Sequence, residues 1–281
     1  MAISLLSDEL VAAPNGVEFL RVPDWNSAEW FWHGFSTRRG GVSSAYSAGG
    51  DSSELNLGYT AADAAEDVRE NRLRFVEAVT GSRETPLVTV RQIHSNLSVI
   101  AAGPIVPGDS PCEADGLMTD RTGLLIGVMA ADCIPVLVAD PVRRAVGAFH
   151  AGWRGTVERI VETGVARMVE VYGSRPGDLL AAIGPGIGAC CYTVGEEVWQ
   201  RFGANFSYAG ELFSGSLETG DLRVDLVEAN RRQLLAAGLG VDSISAVGGC
   251  TACQPEWFYS HRASGGDAGR MMAVVGVRAG E

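Results

Sequence analysis

Residues 124–150 read LLIGVMAADCIPVLVADPVRRAVGAFH, and three apolar runs follow one another in this segment. Short apolar runs bounded by turn-forming residues are typical of fully buried strands. Asp132 and Pro135 interrupt the longest apolar stretch, which is therefore too short to span a membrane. Three successive strands are predicted, over residues 124–129, 136–138 and 145–149.

The rest of the chain alternates between helical and strand patterns. Apolar residues recur at helical spacing before Gly173 and before Gly238, and glycine commonly ends a helix. This alternation predicts a mixed, layered α/β domain. No repeat or long linker is present, so residues 1–281 are expected to form a single domain, with 43–53 as an exposed or substrate-facing loop. Helices are predicted over residues 63–79, 157–169 and 225–237, and further strands over residues 87–90, 244–247 and 272–277.

The charge composition excludes several classes of function. The net charge is −12, which argues against general binding to nucleic acid or to an anionic membrane surface. All 22 basic residues are arginine. Without lysine, neither a Schiff base with pyridoxal phosphate nor an ordinary P-loop ATPase site can form.

The six cysteines are expected to be reduced. The first eight residues lack the basic and apolar regions of a secretory signal, so we expect a cytoplasmic protein. Cys250 and Cys253 form a single C-x-x-C motif, which fits a redox pair or half of a zinc site. Because no second C-x-x-C motif is present, a structural or incidental role is favoured.

His94, Cys133 and His150 are the candidate metal ligands. Each lies at the end of a predicted strand or in the loop beyond it, where α/β folds commonly place their sites. Two imidazoles and one thiolate leave the fourth position of a zinc ion open, as in catalytic zinc sites. No short ligand spacing supports this grouping, so each histidine could equally be a structural residue. Asp132 and Gln92 are adjacent residues that could orient the ligands or cap loops.

Three further segments are candidates for binding an anion or a ring. The Arg38-Arg39-Gly40-Gly41 segment could hold a phosphate, or be a glycine turn with solvated arginines. Arg154 precedes a predicted helix, where an anion could bind or Thr156 could act as a cap. The aromatic residues within 257–262 could line a base-stacking pocket or pack in the core. Residues 184–192 are predicted to form a tight turn into a strand, not a nucleotide-binding loop.

These segments together resemble the YfiH family, whose members carry laccase-domain or polyphenol oxidase labels. The resemblance extends over nearly the whole chain. Its motifs lie at residues 33–43, 55–58, 71–72, 92–94, 114–119, 131–135, 150–155, 184–187, 259–262 and 269–270.

The resemblance implies a fold, a metal and an activity. The fold is an α/β layered sandwich with mixed β-sheets flanked by helices. Zinc would be bound by His94, Cys133 and His150. The activity would be phosphorolysis of adenosine, inosine and methylthioadenosine with phosphate as co-substrate, together with deamination of adenosine. Cys133, His150 and Asp115 are then the expected catalytic residues, and the expected substrate-binding residues are Arg38, Asn56, Gln92, Arg154 and Arg262.

Other activities remain open at the level of sequence. A multicopper oxidase needs on the order of ten histidines, and the chain has 4, so phenol oxidation would be a side reaction of Cu²⁺ replacing zinc. A cysteine hydrolase, with Cys133 as nucleophile and His150 as base, would fit an amidase-like enzyme editing peptidoglycan precursors. A binding module with a purely structural zinc is the third alternative. The sequence leaves the oligomeric state open.

Overall fold

The computed structural model describes residues 9–47, 53–104 and 112–279, which form fifteen strands and five α-helices. The helices are α1 (Ala65–Thr80), α2 (Trp153–Val157), α3 (Ile160–Tyr172), α4 (Glu196–Asn205) and α5 (Leu226–Ala236). The strands are β1 (Leu10–Ala12), β2 (Glu18–Leu20), β3 (Phe31–Ser36), β4 (Arg39–Ser43), β5 (Leu87–Thr89), β6 (Ser98–Ile100), β7 (Gly116–Thr119), β8 (Leu124–Ala130), β9 (Ile134–Asp140), β10 (Ala145–Ala151), β11 (Leu180–Ile183), β12 (Phe213–Ser214), β13 (Arg223–Val224), β14 (Ile244–Ala246) and β15 (Met271–Val277).

Two six-stranded sheets organise the fold. The first has the strand order β1-β2-β3-β15-β8-β5, and the second has the order β14-β11-β9-β10-β7-β6. Parallel pairs occur at β5–β8, β6–β7 and β11–β14, whereas the other pairs within these two sheets are antiparallel. Both sheets are therefore mixed, as expected.

The two sheets pack face to face, and helices cover their outer faces. Phe35 of the first sheet and Leu137 of the second share one apolar core between the sheets. Phe75 of α1 packs on the outer face of the first sheet. Phe149 of β10 and Met168 of α3 belong to the core on the outer face of the second. The expected α/β layered sandwich is confirmed.

The chain passes from one sheet to the other between β8 and β9, at the residues that precede and include Cys133. In the β9–β10 ladder, His150 lies opposite Pro135, which brings the residues just before β9 next to the end of β10. The backbone N–H of His150 also donates to the carbonyl of Asp115 at 2.7 Å, just before β7. Strand register therefore brings Cys133, His150 and Asp115 to one edge of the second sheet.

The helix predicted over residues 157–169 differs from the structure at its start. Arg159 adopts a left-handed conformation with φ of 62° and separates α2 from α3, so the long helix begins at Ile160. The apolar spacing hides this break because Val157 and Ile160 are both buried. Thr156 does not cap the helix: Gly152 precedes α2, and the Thr156 hydroxyl instead accepts a hydrogen bond from Asn230.

Other predicted elements shift only at their boundaries. The strand predicted over 87–90 ends at Thr89, and the strand predicted over 244–247 ends at Ala246. Within the expected loop 43–53, Ser43 closes β4, and residues 48–52 lie outside the described residues. Among the described residues, none of the helices has both the length and the apolar character needed to cross a bilayer.

Candidate metal centre and its pocket

His94, Cys133 and His150 converge from three separate segments. His94 follows β5, Cys133 immediately precedes β9, and His150 lies in β10. Nε2 of His94 is 4.0 Å from Sγ of Cys133, and the two imidazole rings are 5.0 Å apart. One ligand atom from each residue lies within 4.8 Å of the other two. A tetrahedral zinc ion separates such atoms by roughly 3.5 Å, so this donor set fits a single metal ion with a small contraction.

Asp115 fixes the position of two of these ligands. Its buried carboxylate accepts a hydrogen bond from Nδ1 of His150 at 2.8 Å, which leaves Nε2 of that ring free to bind a metal. It also accepts the backbone N–H groups of Ile93, His94 and Ser95, at 3.2, 3.0 and 2.6 Å. Burial raises the pKa of Asp115, but hydrogen bonds from His150 and Ser95 outweigh burial and lower it to about 2.

These contacts bear on the catalytic role that the resemblance implies for Asp115. Both carboxylate oxygens are occupied by hydrogen-bond donors, and the group stays ionised at neutral pH. A carboxylate held in this way cannot readily exchange a proton with a substrate. The contacts of Asp115 are those of a group that orients His150, a candidate metal ligand.

The backbone beside two of the ligands is strained. His94 has φ of 61° and Asp132 has φ of 85°, a region that non-glycine residues rarely adopt. The Asp132 carboxylate accepts the Thr251 hydroxyl and the Arg262 backbone N–H, each at 2.6 Å. These bonds hold Asp132 in its left-handed conformation and so fix the direction of the adjacent Cys133. Strain of this kind is typical of functional sites.

The thiol of Cys133 is electrostatically coupled to the two imidazoles. Burial raises the pKa of Cys133, but His150 and His94 outweigh burial and lower it to about 6. Burial lowers the pKa of His150, but Cys133 and Asp115 outweigh burial and raise it. The site therefore favours a thiolate, which is the form of cysteine that binds metal or acts as a nucleophile.

A cavity of about 430 Å³ opens onto the three ligands, a volume in the range of small-molecule sites. Two cationic side chains and a further histidine contribute to its wall. The lining residues are Val90, Arg91, Gln92, His94, Met129, Ala130, Ala131, Cys133, His150, His261 and Arg270.

Of the expected substrate-binding residues, Gln92 lines this pocket, whereas Arg154 and Arg262 are not among its lining residues. Gln92 lines the pocket, but its amide is paired with the Met129 backbone at 2.7 and 2.8 Å. Arg262 lies over the ring of Tyr192 and donates to the Thr193 carbonyl at 2.6 Å. Arg154, at the start of α2, lies over Trp153. Gln92 thus ties the His94 segment to β8.

Arg38 and Asn56 lie elsewhere. Arg38 forms a salt bridge with Glu54 at 2.7 Å and lines a second cavity of about 440 Å³, which also includes Tyr259. Asn56 is fully buried, and its side-chain oxygen accepts the backbone N–H of Arg270 at 2.8 Å. Asn56 therefore contributes to the metal pocket only by positioning Arg270.

The sequence did not single out two polar residues of the pocket that lie within its motifs. His261 and Arg270 fall inside motifs 259–262 and 269–270, which were already recognised as part of the resemblance. The motif alone did not show which of its side chains faces the metal ligands.

Comparisons with known proteins agree with this fold. The family model described as "Multi-copper polyphenol oxidoreductase laccase" matches residues 32–278. The purine nucleoside phosphorylase of Deinococcus radiodurans is 39% identical over 264 residues, covering 93% of this chain and 94% of the relative. Adenosine deaminase RL5, from an unknown prokaryotic organism, is 34% identical, covering 86% of this chain and 92% of the relative.

A solved structure extends the similarity to three dimensions. The crystal structure of the hypothetical protein YfiH from Bacillus licheniformis matches with a TM-score of 0.81 at 32% identity, covering 95% of this chain and 97% of that chain. The resemblance indicated by the motifs is thereby confirmed. This chain belongs to the multi-copper polyphenol oxidoreductase laccase family, together with YfiH.

Proposed function

We propose that this chain is a zinc-dependent purine nucleoside enzyme that phosphorolyses adenosine, inosine and methylthioadenosine. The observation that carries the proposal is the convergence of His94, Cys133 and His150 on a pocket of nucleoside size with cationic walls. Relatives named purine nucleoside phosphorylase and adenosine deaminase support the substrate class. A bound zinc ion supplies Lewis acidity and lowers the pKa of a coordinated water.

In phosphorolysis, a phosphate oxygen attacks C1′ of the ribose. The bond from C1′ to N9 breaks, its electron pair passes to the purine, and the purine takes up a proton. We assign phosphate binding to Arg270, which lines the pocket and whose backbone N–H donates to Asn56. His261 is placed to donate a proton or a hydrogen bond to the leaving base. The positive charges of Arg262 and Arg154 both act to lower the pKa of Tyr192. These two arginines are candidates for further substrate contacts.

Deamination of adenosine in the same pocket is part of the proposal. A water oxygen attacks C6 of the purine and ammonia leaves. Known zinc deaminases use a glutamate as proton shuttle, and none of the described residues that line this pocket is a glutamate. His261 is the pocket side chain that we assign to proton transfer in this reaction. Cu²⁺ bound in place of zinc would account for phenol oxidation as a side activity.

A cysteine hydrolase is the second candidate, and one observation favours it. Cys133, His150 and Asp115 form the nucleophile, base and orienting carboxylate of such a triad, with a lowered pKa for Cys133. This mechanism would suit an amidase-like peptidoglycan-editing enzyme. It gives no role to His94, whose ring nitrogen also points at the sulfur. A metal site uses all three donors, so we favour the metalloenzyme.

The deciding experiment is incubation of the zinc-loaded protein with adenosine, with and without phosphate, followed by chromatography. We expect adenine and ribose 1-phosphate to form only when phosphate is present. Arg270→Gln should raise the KM for phosphate, whereas Arg167→Gln, which alters an exposed arginine paired with Glu170 on α3, should not. Inosine as the sole product would exclude phosphorolysis. Full amidase activity in metal-free protein would establish the cysteine hydrolase.

We further propose that residues 1–281 act as a single catalytic domain in the cytoplasm. Its substrates would be small purine nucleosides and phosphate, with neither nucleic acid nor membrane as partner. The acidic net charge of −12 supports the exclusion of these two polyanionic surfaces.

A further inference from the structure

Four cysteines converge outside the metal pocket, and we call them the thiol cluster: Cys190, Cys191, Cys250 and Cys253. The first two follow β11, and the last two follow β14. β11 and β14 are parallel neighbours, with Ile183 opposite Ala246. The segments beyond their carboxyl ends therefore meet, which a search for two C-x-x-C motifs could not detect.

The sulfur positions are those of a tetrahedral donor set. All four Sγ atoms lie within 4.8 Å of one another. Cys190 and Cys191 are 3.5 and 3.3 Å from Cys253. Zinc–sulfur bonds of about 2.3 Å place the sulfurs of a tetrahedral site about 3.8 Å apart. All four cysteines are free thiols, and a single zinc ion would use all four sulfurs at once, whereas each disulfide joins only two.

The backbone is already arranged around one of the sulfurs. Sγ of Cys250 accepts the backbone N–H of Gly188 at 3.2 Å, and the N–H of Cys253 also bonds to it. N–H donors directed at a sulfur stabilise the thiolate, which is the form that binds zinc. A side chain at Gly188 would be crowded, because a Cβ would lie 3.1 Å from Cβ of Cys250 and 3.2 Å from Sγ of Cys190.

We propose that the thiol cluster binds a second zinc ion, structural in role, through four thiolates. Four protein ligands close the coordination shell, as is usual in structural sites and unlike the open shell of the catalytic pocket. The proposal is independent of the reaction proposed above. The C-x-x-C motif, which by itself could supply only half of a zinc site, would thus belong to a complete four-cysteine zinc site.

The second ion would also support the catalytic site. Thr251 lies between the two cysteines of the C-x-x-C motif, and its hydroxyl bonds to Asp132 at 2.6 Å. Asp132 in turn sets the backbone direction of Cys133. A zinc ion that joins the Cys250–Cys253 turn to the Cys190–Cys191 turn would therefore fix Thr251 in place. Its hydrogen bond would then hold Asp132 in the left-handed conformation beside Cys133.

The test is metal analysis of the full chain purified in the presence of a thiol reductant. We expect wild-type protein to carry two zinc ions, one for each ligand group. Cys253→Ser and His94→Ala should each retain one. The matched control is Cys112→Ser, which alters an exposed cysteine outside both groups and should retain two. A failed purine assay would leave these counts unchanged, so the two proposals fail separately.

Cobalt substitution gives a second measurement, which does not require a variant of the thiol cluster to fold. His94→Ala protein loaded with Co²⁺ should show the intense visible and near-ultraviolet bands of tetrahedral cobalt bound to thiolates only. One zinc ion in both the wild type and Cys253→Ser would overturn the proposal. So would alkylation mapping that finds a disulfide within the thiol cluster of the reduced preparation, or an absence of cobalt–thiolate bands in His94→Ala.

Discussion

Asp115 contacts two of the three candidate metal ligands, His94 and His150. One carboxylate joins the loop that carries His94 to the strand that carries His150, through its hydrogen bonds to both segments. Sequence motifs could mark Asp115 as functional but not distinguish positioning from proton transfer. That distinction needed the contacts of both carboxylate oxygens.

Asp115→Asn should weaken zinc binding. The asparagine amide keeps one acceptor oxygen. Its NH₂ group would face the backbone N–H groups of Ile93 and Ser95, which donate to the second carboxylate oxygen in the wild type. Loss of such an orienting partner typically lowers metal affinity about 10–100-fold. Competition with a chromophoric chelator measures the change. Asp140→Asn, a fully buried aspartate at the far end of β9, is the control and should keep wild-type affinity. Equal affinities for both variants and the wild type would refute the positioning role.

Gly152→Ala should crowd the same site. The added Cβ would lie 3.0 Å from Sγ of Cys133 and 3.1 Å from Cδ2 of His94. Overpacking of this kind costs about 1–3 kcal/mol, and a cost of that size to the zinc-bound state corresponds to a roughly 5- to 150-fold loss of zinc affinity. Isothermal titration with zinc measures it. Gly177→Ala, where a Cβ meets nothing within 4 Å, should bind zinc normally. Unchanged affinity in Gly152→Ala would show that the ligands can move apart freely.

At the scale of elements, apolar runs predicted β8, β9 and β10 well, because buried strands need continuous apolar sequence. The sequence could not show that β8 joins one sheet and β9 the other, because both strands are equally apolar. Nor could it show the partners of β11 and β14, on which the thiol cluster depends. Long-range pairing, and not local propensity, carries this information.

His33 in β3 should make stability depend on pH. Burial, together with the charges of Arg21 and Arg278, lowers its pKa from 6.5 to about 3. Between these pH values the unfolded chain binds a proton that folded His33 does not. The free energy of unfolding therefore falls as the pH decreases from 6.5 towards 3, by up to about 1.4 kcal/mol per pH unit from this residue.

Urea unfolding of His33→Gln across this pH range provides the measurement. The variant should lose the contribution of His33 and show a shallower decline than the wild type. His261→Gln, which alters an exposed histidine, should decline as the wild type does. Parallel curves for His33→Gln and the wild type would mean that His33 titrates normally in the folded protein.

At the scale of the whole molecule, the metal centre lies outside the core that stabilises the fold. The apolar core between the two sheets includes Phe35, Ile126 and Leu137, and none of the three metal ligands belongs to it. The ligands lie instead where strands end and the chain crosses between sheets. Such an arrangement lets the site bind and release a metal or substrate without disturbing the sandwich.

His94→Ala should therefore abolish activity with little loss of stability. The substitution removes a catalytic-site ligand from an exposed loop position and leaves both the core and the thiol cluster intact. Leu137→Ala, a fully buried core change, should instead cost about 2–5 kcal/mol. Thermal unfolding followed by circular dichroism compares the two variants with the wild type. If His94→Ala unfolded as readily as Leu137→Ala, the three-ligand site would be structural, since a folding-coupled metal contributes its binding energy to the fold itself.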